Sequence, residues 1–376
     1  MVKIFVLQEN KKPRVAINQD TAVPEDFSME KSSTLLTREQ KHKKFKVHYT
    51  WIYVTERCNL HCDYCFFRHM HGREISMDAV EQLFLLFERE ETAPSTLIFS
   101  GGEAFLAKEN LFKILNEAHR RFKDTSLHIQ TNGLLIDHDS IVQLKELGVS
   151  LEFGIDGGPE TTIQHRCGLK PASFKKLTDT IGECVKAGIH CGSTMTVHPH
   201  EVQHMEQGLD FLRKRGIPHV DITPAAFMPW TPETVALFKK NYLALARRPE
   251  LRRVMYANED IEWISPGVMD LSLHPPGYLF GGDAFLCLPE NKRAEFTLWD
   301  PVNGQFRPEI LSIYQEAYEQ MHQQHARLPY REHVCHSFEL MNTMMGEKYM
   351  NTWAINDIMR FLTRTHLTLG IKKYGR

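Results

Sequence analysis

The chain has 376 residues, 42% hydrophobic and 24% charged, with 45 basic against 47 acidic side chains and a formal net charge of −2. That near-average composition excludes a disordered, collagenous or coiled-coil architecture, and near-neutrality excludes a general electrostatic pull toward nucleic acid or a membrane surface. No apolar run approaches the roughly 20 residues of a membrane span, and the apolar start of MVKIFVLQENKKPR is too short for a secretory signal, so a cytoplasmic protein is expected.

A single core stops growing at roughly 250–300 residues, which predicts one large domain or a domain with a smaller partner. Residues 1–46 read as a polar N-terminal extension, with strand-like runs at Val2–Leu7 and Arg14–Ile17 and a basic stretch from Lys41 to Lys46 that reads as a solvated approach to the first strand. From residue 47 the pattern is regular. Val47–Thr55 is rich in β-branched and aromatic residues and predicts a strand. Ser76 caps a helix whose Val80, Leu83, Phe84 and Phe87 share one face. Strands follow at Thr96–Phe99, Leu127–Gln130, Leu151–Ile155, Cys191–Val197 and His219–Ile222. Between them lie helices marked by Leu111, Ile114, Leu115, Ala118 and Phe122, by Ser140–Leu147, by Phe174, Leu177, Ile181 and Val185, and by Val202–Arg215. Gly148, Gly188 and Gly216 stand where helix C-caps are expected.

Six strands alternating with five helices imply right-handed crossovers and a parallel sheet, and six units are too few for a closed eight-stranded barrel. The expected fold is therefore α/β, a partial (β/α)6 TIM-type barrel over 47–222, with chemistry at the C-terminal strand ends. After Pro224 the rhythm changes to helical stretches at 231–256, 309–326 and about 336–366 around a Pro/Gly-rich 265–310. Residues 223–376 read as a smaller α+β lobe.

Eight cysteines stand at 58, 62, 65, 167, 184, 191, 287 and 335, three of them within eight residues directly after the first strand. In a reducing compartment such a cluster argues for metal rather than disulfides. The run Cys58-Asn-Leu-His-Cys62-Asp-Tyr-Cys65 has C-x3-C-x2-C spacing. Three thiolates on one loop can hold three irons of a 4Fe–4S cluster and leave the fourth open. On spacing alone a zinc site with a fourth ligand from His61, His69 or His71 stays possible.

The motif, its place after the first strand and the following Phe66 closely resemble the radical S-adenosylmethionine (SAM) enzymes. Further motifs follow in order: Ser100-Gly101-Gly102-Glu103 after the second strand, Gln130-Thr131-Asn132-Gly133 after the third, Asp156-Gly157 after the fourth, then His165-Arg166. This ladder is most similar to the branch with SPASM or twitch domains, which includes peptide-modifying maturases. The C-N-x2-C-x2-C-F string also resembles viperin-like nucleotide enzymes, but the Asp156-Gly157 and His165-Arg166 stretch favours the SPASM-like branch.

The resemblance implies a 4Fe–4S cluster on Cys58, Cys62 and Cys65 and SAM as cosubstrate. It implies that Gly101 and Gly102 let the backbone approach the methionyl group, that Glu103 accepts from its ammonium and that Arg166 bonds its carboxylate. Tyr64 then packs near adenine, Thr131 and Asn132 contact ribose or methionine, and Asp156 meets ribose or substrate. Asn132-Gly133 and Asp156-Gly157 are also common turn pairs. Ala104 stands where the family often has proline after GGE, which relaxes a loop without removing a ligand.

The expected activity is reductive cleavage of SAM and hydrogen abstraction from a ribosomally made peptide, leading to crosslinking, epimerisation or oxidation. The alternative substrate is a small molecule (a sugar, amino acid or nucleotide), and a remote alternative is a non-enzymatic zinc protein. A flavodoxin or ferredoxin is the expected electron donor. The residues before the first strand are too few for a leader-recognition domain, so a separate leader-binding protein is expected with a peptide substrate.

Cys287 and Cys335 are too few for an auxiliary cubane, which needs about four protein ligands, so auxiliary clusters are expected to be absent. Asp283 and Cys287 remain weak catalytic candidates, with Cys287 either a free thiol near the site or a buried small hydrophobe. Cys184 and Cys191 read as core, and the scattered histidines as surface or supporting groups.

Overall fold

The computed structural model describes residues 46–65, 72, 74–91, 93–225 and 228–255, together with four short strands between 268 and 306 and residues 357, 358, 361, 362 and 365. The expected lobe positions Asp283, Cys287 and Cys335, the histidines at 69 and 71, Phe66 and residues 1–45 lie outside the described residues.

Six strands alternate with helices as the periodicity predicts: β1 (Lys46–Thr55), α1 (Met77–Glu90), β2 (Thr96–Gly101), α2 (Lys108–Arg121), β3 (Ser126–Thr131), α3 (His138–Glu146), β4 (Ser150–Gly154), α4 (Pro159–His165), α5 (Pro171–Lys186), β5 (Cys191–Val197), α6 (Met205–Lys214) and β6 (His219–Pro224). Two helices, α7 (Pro232–Arg247) and α8 (Pro249–Met255), follow, and then β7 (Val268–His274) and β8 (Tyr278–Leu279). The sheet order is β6-β5-β4-β3-β2-β1-β7-β8, parallel from β6 through β7. At the end of this sheet β8 runs antiparallel to β7. This is the α/β partial barrel expected, with one feature periodicity did not reveal: β7 comes from the Pro/Gly-rich stretch and covers the far edge of β1. Closing that edge hides a row of unpaired backbone groups.

Local chemistry explains the elements. Ser76 accepts from the Ala79 amide at the start of α1, and Gly148, Gly188 and Gly216 take φ of +66, +83 and +80° just past their helices. The expected Val202–Arg215 helix is instead a 3-10 turn over Pro199–His204 followed by α6. The helical stretch expected over 231–256 divides into α7 and α8 at Pro249, which cannot continue a helix. On α5 the buried stripe is Phe174, Leu177, Thr178, Ile181 and Cys184, leaving Val185 exposed. Cys184 and Cys191 are core, as read.

Burial alternates along β3, β5 and β6. Leu127, Ile129, Leu151, Phe153, Met195 and Val220 are buried, the face the helices cover. The in-register partners His128–Ser150, Gln130–Glu152, Gly154–Thr194 and Thr194–Asp221 lie on the other, half-exposed face, the concave lumen. Glu152 is buried there, accepts from Thr194 and pairs with His128 at 3.1 Å. At the chain's far end Lys239 on α7 pairs with Asp357 at 2.6 Å, and Tyr242 meets Phe361 edge-on at 6.0 Å. Among the described residues no helix is long and apolar enough to cross a membrane.

Candidate active site at the C-terminal strand ends

Parallel strands place every following loop at one end of the sheet, so five motifs distant in sequence meet there. The cysteine loop leaves β1 and is backed by the end of β2: Gly102 N donates to Thr55 O at 2.8 Å and Glu103 N to Arg57 O at 2.8 Å. These contacts explain the glycine pair. Gly101 has φ +144°. A Cβ on Gly102 would lie 2.6 Å from the Arg57 carbonyl carbon and 2.7 Å from Glu56 O. The immediate neighbour that requires glycine is thus the backbone of the cysteine loop. Gly102→Ala is expected to cost about 3 kcal/mol, because rigid backbone must shift rather than a side chain. Urea unfolding of the iron-free protein checks it.

Within the loop, Cys62 is buried and Cys58 and Cys65 are half-buried. Leu60 N donates to Cys58 Sγ at 3.4 Å. Burial pushes the Cys58 and Cys62 thiols up to about 11, with Arg166 pulling Cys62 partly back down. Thiolates this costly suit a place where a metal centre supplies the compensating positive charge.

Glu103 is almost fully buried. Its Oε1 accepts from Phe105 N at 3.1 Å and Thr131 Oγ1 at 2.8 Å, and its Oε2 from Asn132 N at 2.7 Å. Burial raises its pKa while these donors pull it back. Asn132 Nδ2 in turn donates to Asn59 Oδ1 at 2.7 Å, tying the β3 end to the cysteine loop. Glu103→Ala leaves two backbone amides without an acceptor. The expected cost is roughly 3–5 kcal/mol, read as a lowered urea midpoint at unchanged slope.

Arg166 forms a two-pronged pair with Asp156: Nε to Oδ2 at 2.9 Å and Nη2 to Oδ1 at 2.7 Å, both residues buried. Asp156 also accepts from Tyr64 Oη at 2.6 Å and Thr196 N at 3.0 Å. Four donors therefore occupy the carboxylate expected to meet ribose or substrate. The guanidinium lies 5.8 Å from the Tyr64 ring centroid. Its Nη1 lies over Gly154, where an added Cβ would be 2.5 Å away. Burial pushes the Tyr64 phenol well above its usual range, so it stays a donor.

The structure thus brings Cys58, Cys62, Cys65, Tyr64, Gly101, Gly102, Glu103, Thr131, Asn132, Asp156 and Arg166 to one end of the sheet. Sequence reasoning missed Asn59, Thr196 and the Asp63–His165 contact, in which Nδ1 and Oδ2 are 2.8 Å apart. A signal existed for the last: Asp63 stands inside the cysteine motif, and His165 stands beside Arg166.

Residues 52–212 match the family model of the Radical SAM superfamily. The chain carries a radical SAM domain. Fe-coproporphyrin III synthase of Methanosarcina barkeri is 30% identical over 171 residues, 44% of this chain and 41% of that protein. The cysteine-type anaerobic sulfatase-maturating enzyme of Clostridium novyi is 24% identical over 183 residues, 46% of this chain and 49% of that one. The chain thus aligns with about half the length of these curated relatives or less. In fold it is similar to anSMEcpe with bound AdoMet, with TM-score 0.62 at 15% identity over 86% of this chain and 99% of the other. It is also similar to Streptococcus suis SuiB bound to its precursor peptide SuiA, with TM-score 0.52 at 13% identity over 66% and 62%. These likenesses establish the partial-barrel fold of the radical SAM domain.

Proposed function

We propose that the chain is a radical SAM enzyme that cleaves SAM reductively and abstracts a hydrogen atom from a ribosomally made peptide. The observation that carries the reading is the convergence of three loop thiols, buried Glu103 and the Arg166–Asp156 pair at the C-terminal end of one parallel sheet. The donor set fits: Cys58, Cys62 and Cys65 would each hold one iron of a 4Fe–4S cluster, with the fourth left to SAM. When bound, that pair supplies a 5′-deoxyadenosyl radical by one-electron cleavage of the sulfonium.

The chain's own residues bind and orient. Glu103 has lone pairs beyond its three donors for the methionyl ammonium, and Arg166 offers Nη1 to the methionyl carboxylate while Asp156 holds the other two nitrogens. The strand end at Gly101 and Gly102 presents backbone, Tyr64 shields the adenine side, and Thr131 and Asn132 line the ribose side. We divide the chain into an extension at 1–46, the barrel at 47–222 and a substrate lobe at 223–376 that keeps water from the lumen, and place it in the cytoplasm with a flavodoxin or ferredoxin as reductant.

A peptide substrate is supported by the sulfatase-maturating relative and by the fold likeness to SuiB with SuiA, and a separate leader-binding protein accompanies it. A small-molecule substrate is the second reading, favoured by the likeness to Fe-coproporphyrin III synthase and to a nucleotide dehydratase of Fibrobacter, 26% identical over 140 residues.

The test is anaerobic reconstitution followed by dithionite and SAM. About four irons per chain with 5′-deoxyadenosine formed is the expected result. About eight irons would assign an auxiliary cluster to the C-terminal third, and zinc without iron would overturn the enzyme. Deuterium transfer into 5′-deoxyadenosine from a labelled peptide, rather than from a labelled porphyrin or nucleotide, decides the substrate class.

A further inference from the structure

We propose that His165 is a positioning residue: it latches the cysteine loop to the end of α4, so that the thiols and the Arg166–Asp156 pair form one rigid unit. The inference rests on the cluster reading above, but it concerns contacts the polypeptide makes by itself.

The cysteine loop runs antiparallel to the segment after α4. His61 N donates to Cys167 O at 2.8 Å and Asp63 N to His165 O at 3.0 Å. Between these two bonds sits Cys62. The His165 side chain adds a third tie, with Nδ1 2.8 Å from Asp63 Oδ2. Consecutive residues of the loop are therefore gripped by consecutive residues of the helix end. Asp63 is bound by His165, and Tyr64 is held under Arg166 and bonded to its partner Asp156.

The latch is itself held in place. The His165 side chain is only 5% exposed and stacks on His198 at 4.2 Å with ring planes 13° apart. His198 Nδ1 accepts from His200 N at 3.2 Å, capping the 3-10 turn that follows β5. A loop tied to two separate elements opens less often than one anchored only at its ends. Three ligands on such a loop start nearer their bound arrangement, and fixing the shell behind a ligand is how a protein fixes a metal centre.

A competing role is ligation. One donor atom each from Asp63, His165 and His198 lies within 4.8 Å of the others, and the buried His165 Nε2 makes no hydrogen bond, standing 3.6 Å from Glu201 Oε1. Two nearly parallel stacked rings, however, aim their in-plane lone pairs side by side rather than at a common point, and a metal ion needs them to converge.

The experiment compares wild type with His165→Ala, His165→Asn, Asp63→Ala and the double alanine variant. Asparagine keeps an N–H donor close to the Nδ1 position. In iron-free protein, iodoacetamide labelling of Cys62 and Cys65, read by peptide mass spectrometry, is expected to run about tenfold faster in either alanine variant. The double variant should be no faster than the singles, since both remove one interaction, and asparagine should stay within about twofold of wild type. After reconstitution, the electron paramagnetic resonance change on adding SAM should broaden in His165→Ala and not in His165→Asn.

Wild-type labelling rates in His165→Ala, with the unfolding midpoint retained, would overturn the latch. So would a metal ion kept by a variant lacking all three loop cysteines and lost on His165→Ala, which would make His165 a ligand. The labelling is read without iron, so a wild type that takes up zinc instead of iron sinks the proposed function and still leaves this result legible.

Discussion

A variant with Cys58, Cys62 and Cys65 all changed to alanine is expected to bind no cluster iron and to form no detectable 5′-deoxyadenosine, a rate loss of at least ~10³-fold. The reason is chemical rather than structural. The three sulfurs are the donors the loop concentrates after β1, and thiolate is the ligand that iron–sulfur chemistry requires. Their removal takes away the 3.4 Å bond from Leu60 N to Cys58 Sγ but keeps the backbone supports of the loop: Gly102 N to Thr55 O, Glu103 N to Arg57 O and Asp63 N to His165 O. Iron-free variant and iron-free wild type should therefore melt within roughly 5 °C of each other. Burial raises the Cys58 and Cys62 pKa values to about 11, so in the iron-free protein both are neutral thiols near neutral pH and their replacement by methyl groups removes no charge. Iron and labile sulfide assays beside calorimetry check both halves. Iron retained at wild-type level in the variant would show that the loop is not the cluster site.

Arg166→Ala is expected to do the opposite and strike the fold as hard as the chemistry. Asp156 is buried and shares two bonds with the guanidinium, so removing the cation strands a carboxylate with only Tyr64 Oη and Thr196 N as donors. Breaking a buried pair from one side costs about 3–5 kcal/mol. Arg166→Lys keeps the charge but cannot make the planar fork, and should lose about 1–2 kcal/mol. Arg166→Ala combined with Asp156→Asn removes the stranded charge, so it should recover part of the stability measured by urea unfolding. It should recover none of the SAM affinity, because Nη1 is gone in both variants. Recovery of both in the double variant would show that Arg166 supports the fold alone.

The architecture was largely legible because it is written in local patterns. Val80, Leu83, Phe84 and Phe87 repeat at helical spacing and all four are buried on α1. Ser76 caps where a serine should, and glycines close three helices. Alternation of such units leaves a parallel sheet as the natural arrangement. What escaped was non-local or irregular. β7 joins the sheet across more than two hundred residues of intervening chain, pairing Val268 with Lys46, and no periodicity in a Pro/Gly-rich stretch announces a partner so distant. The 3-10 turn at Pro199–His204 escaped because its apolar spacing continues smoothly into α6.

The same division holds at the site. By itself the sequence determined which chemical groups arrive at the C-terminal strand ends: three thiols on one loop, a glycine pair before an acid, and an arginine after the fourth strand. Each group is set by its own few residues, and parallel strands deliver all of them to one end. Only the tertiary structure decided what each group touches. Glu103 meets Thr131 and Asn132 from 28 and 29 residues away, Tyr64 meets Asp156 from 92, and Asp63 meets His165 from 102. Gly102 proves necessary because of the Arg57 backbone, and Asp156 is taken up by Arg166. A buried polar group takes whichever partner the packed sheet brings within about 3 Å, and that is settled by strand register and loop approach, not by the group's neighbours in the chain.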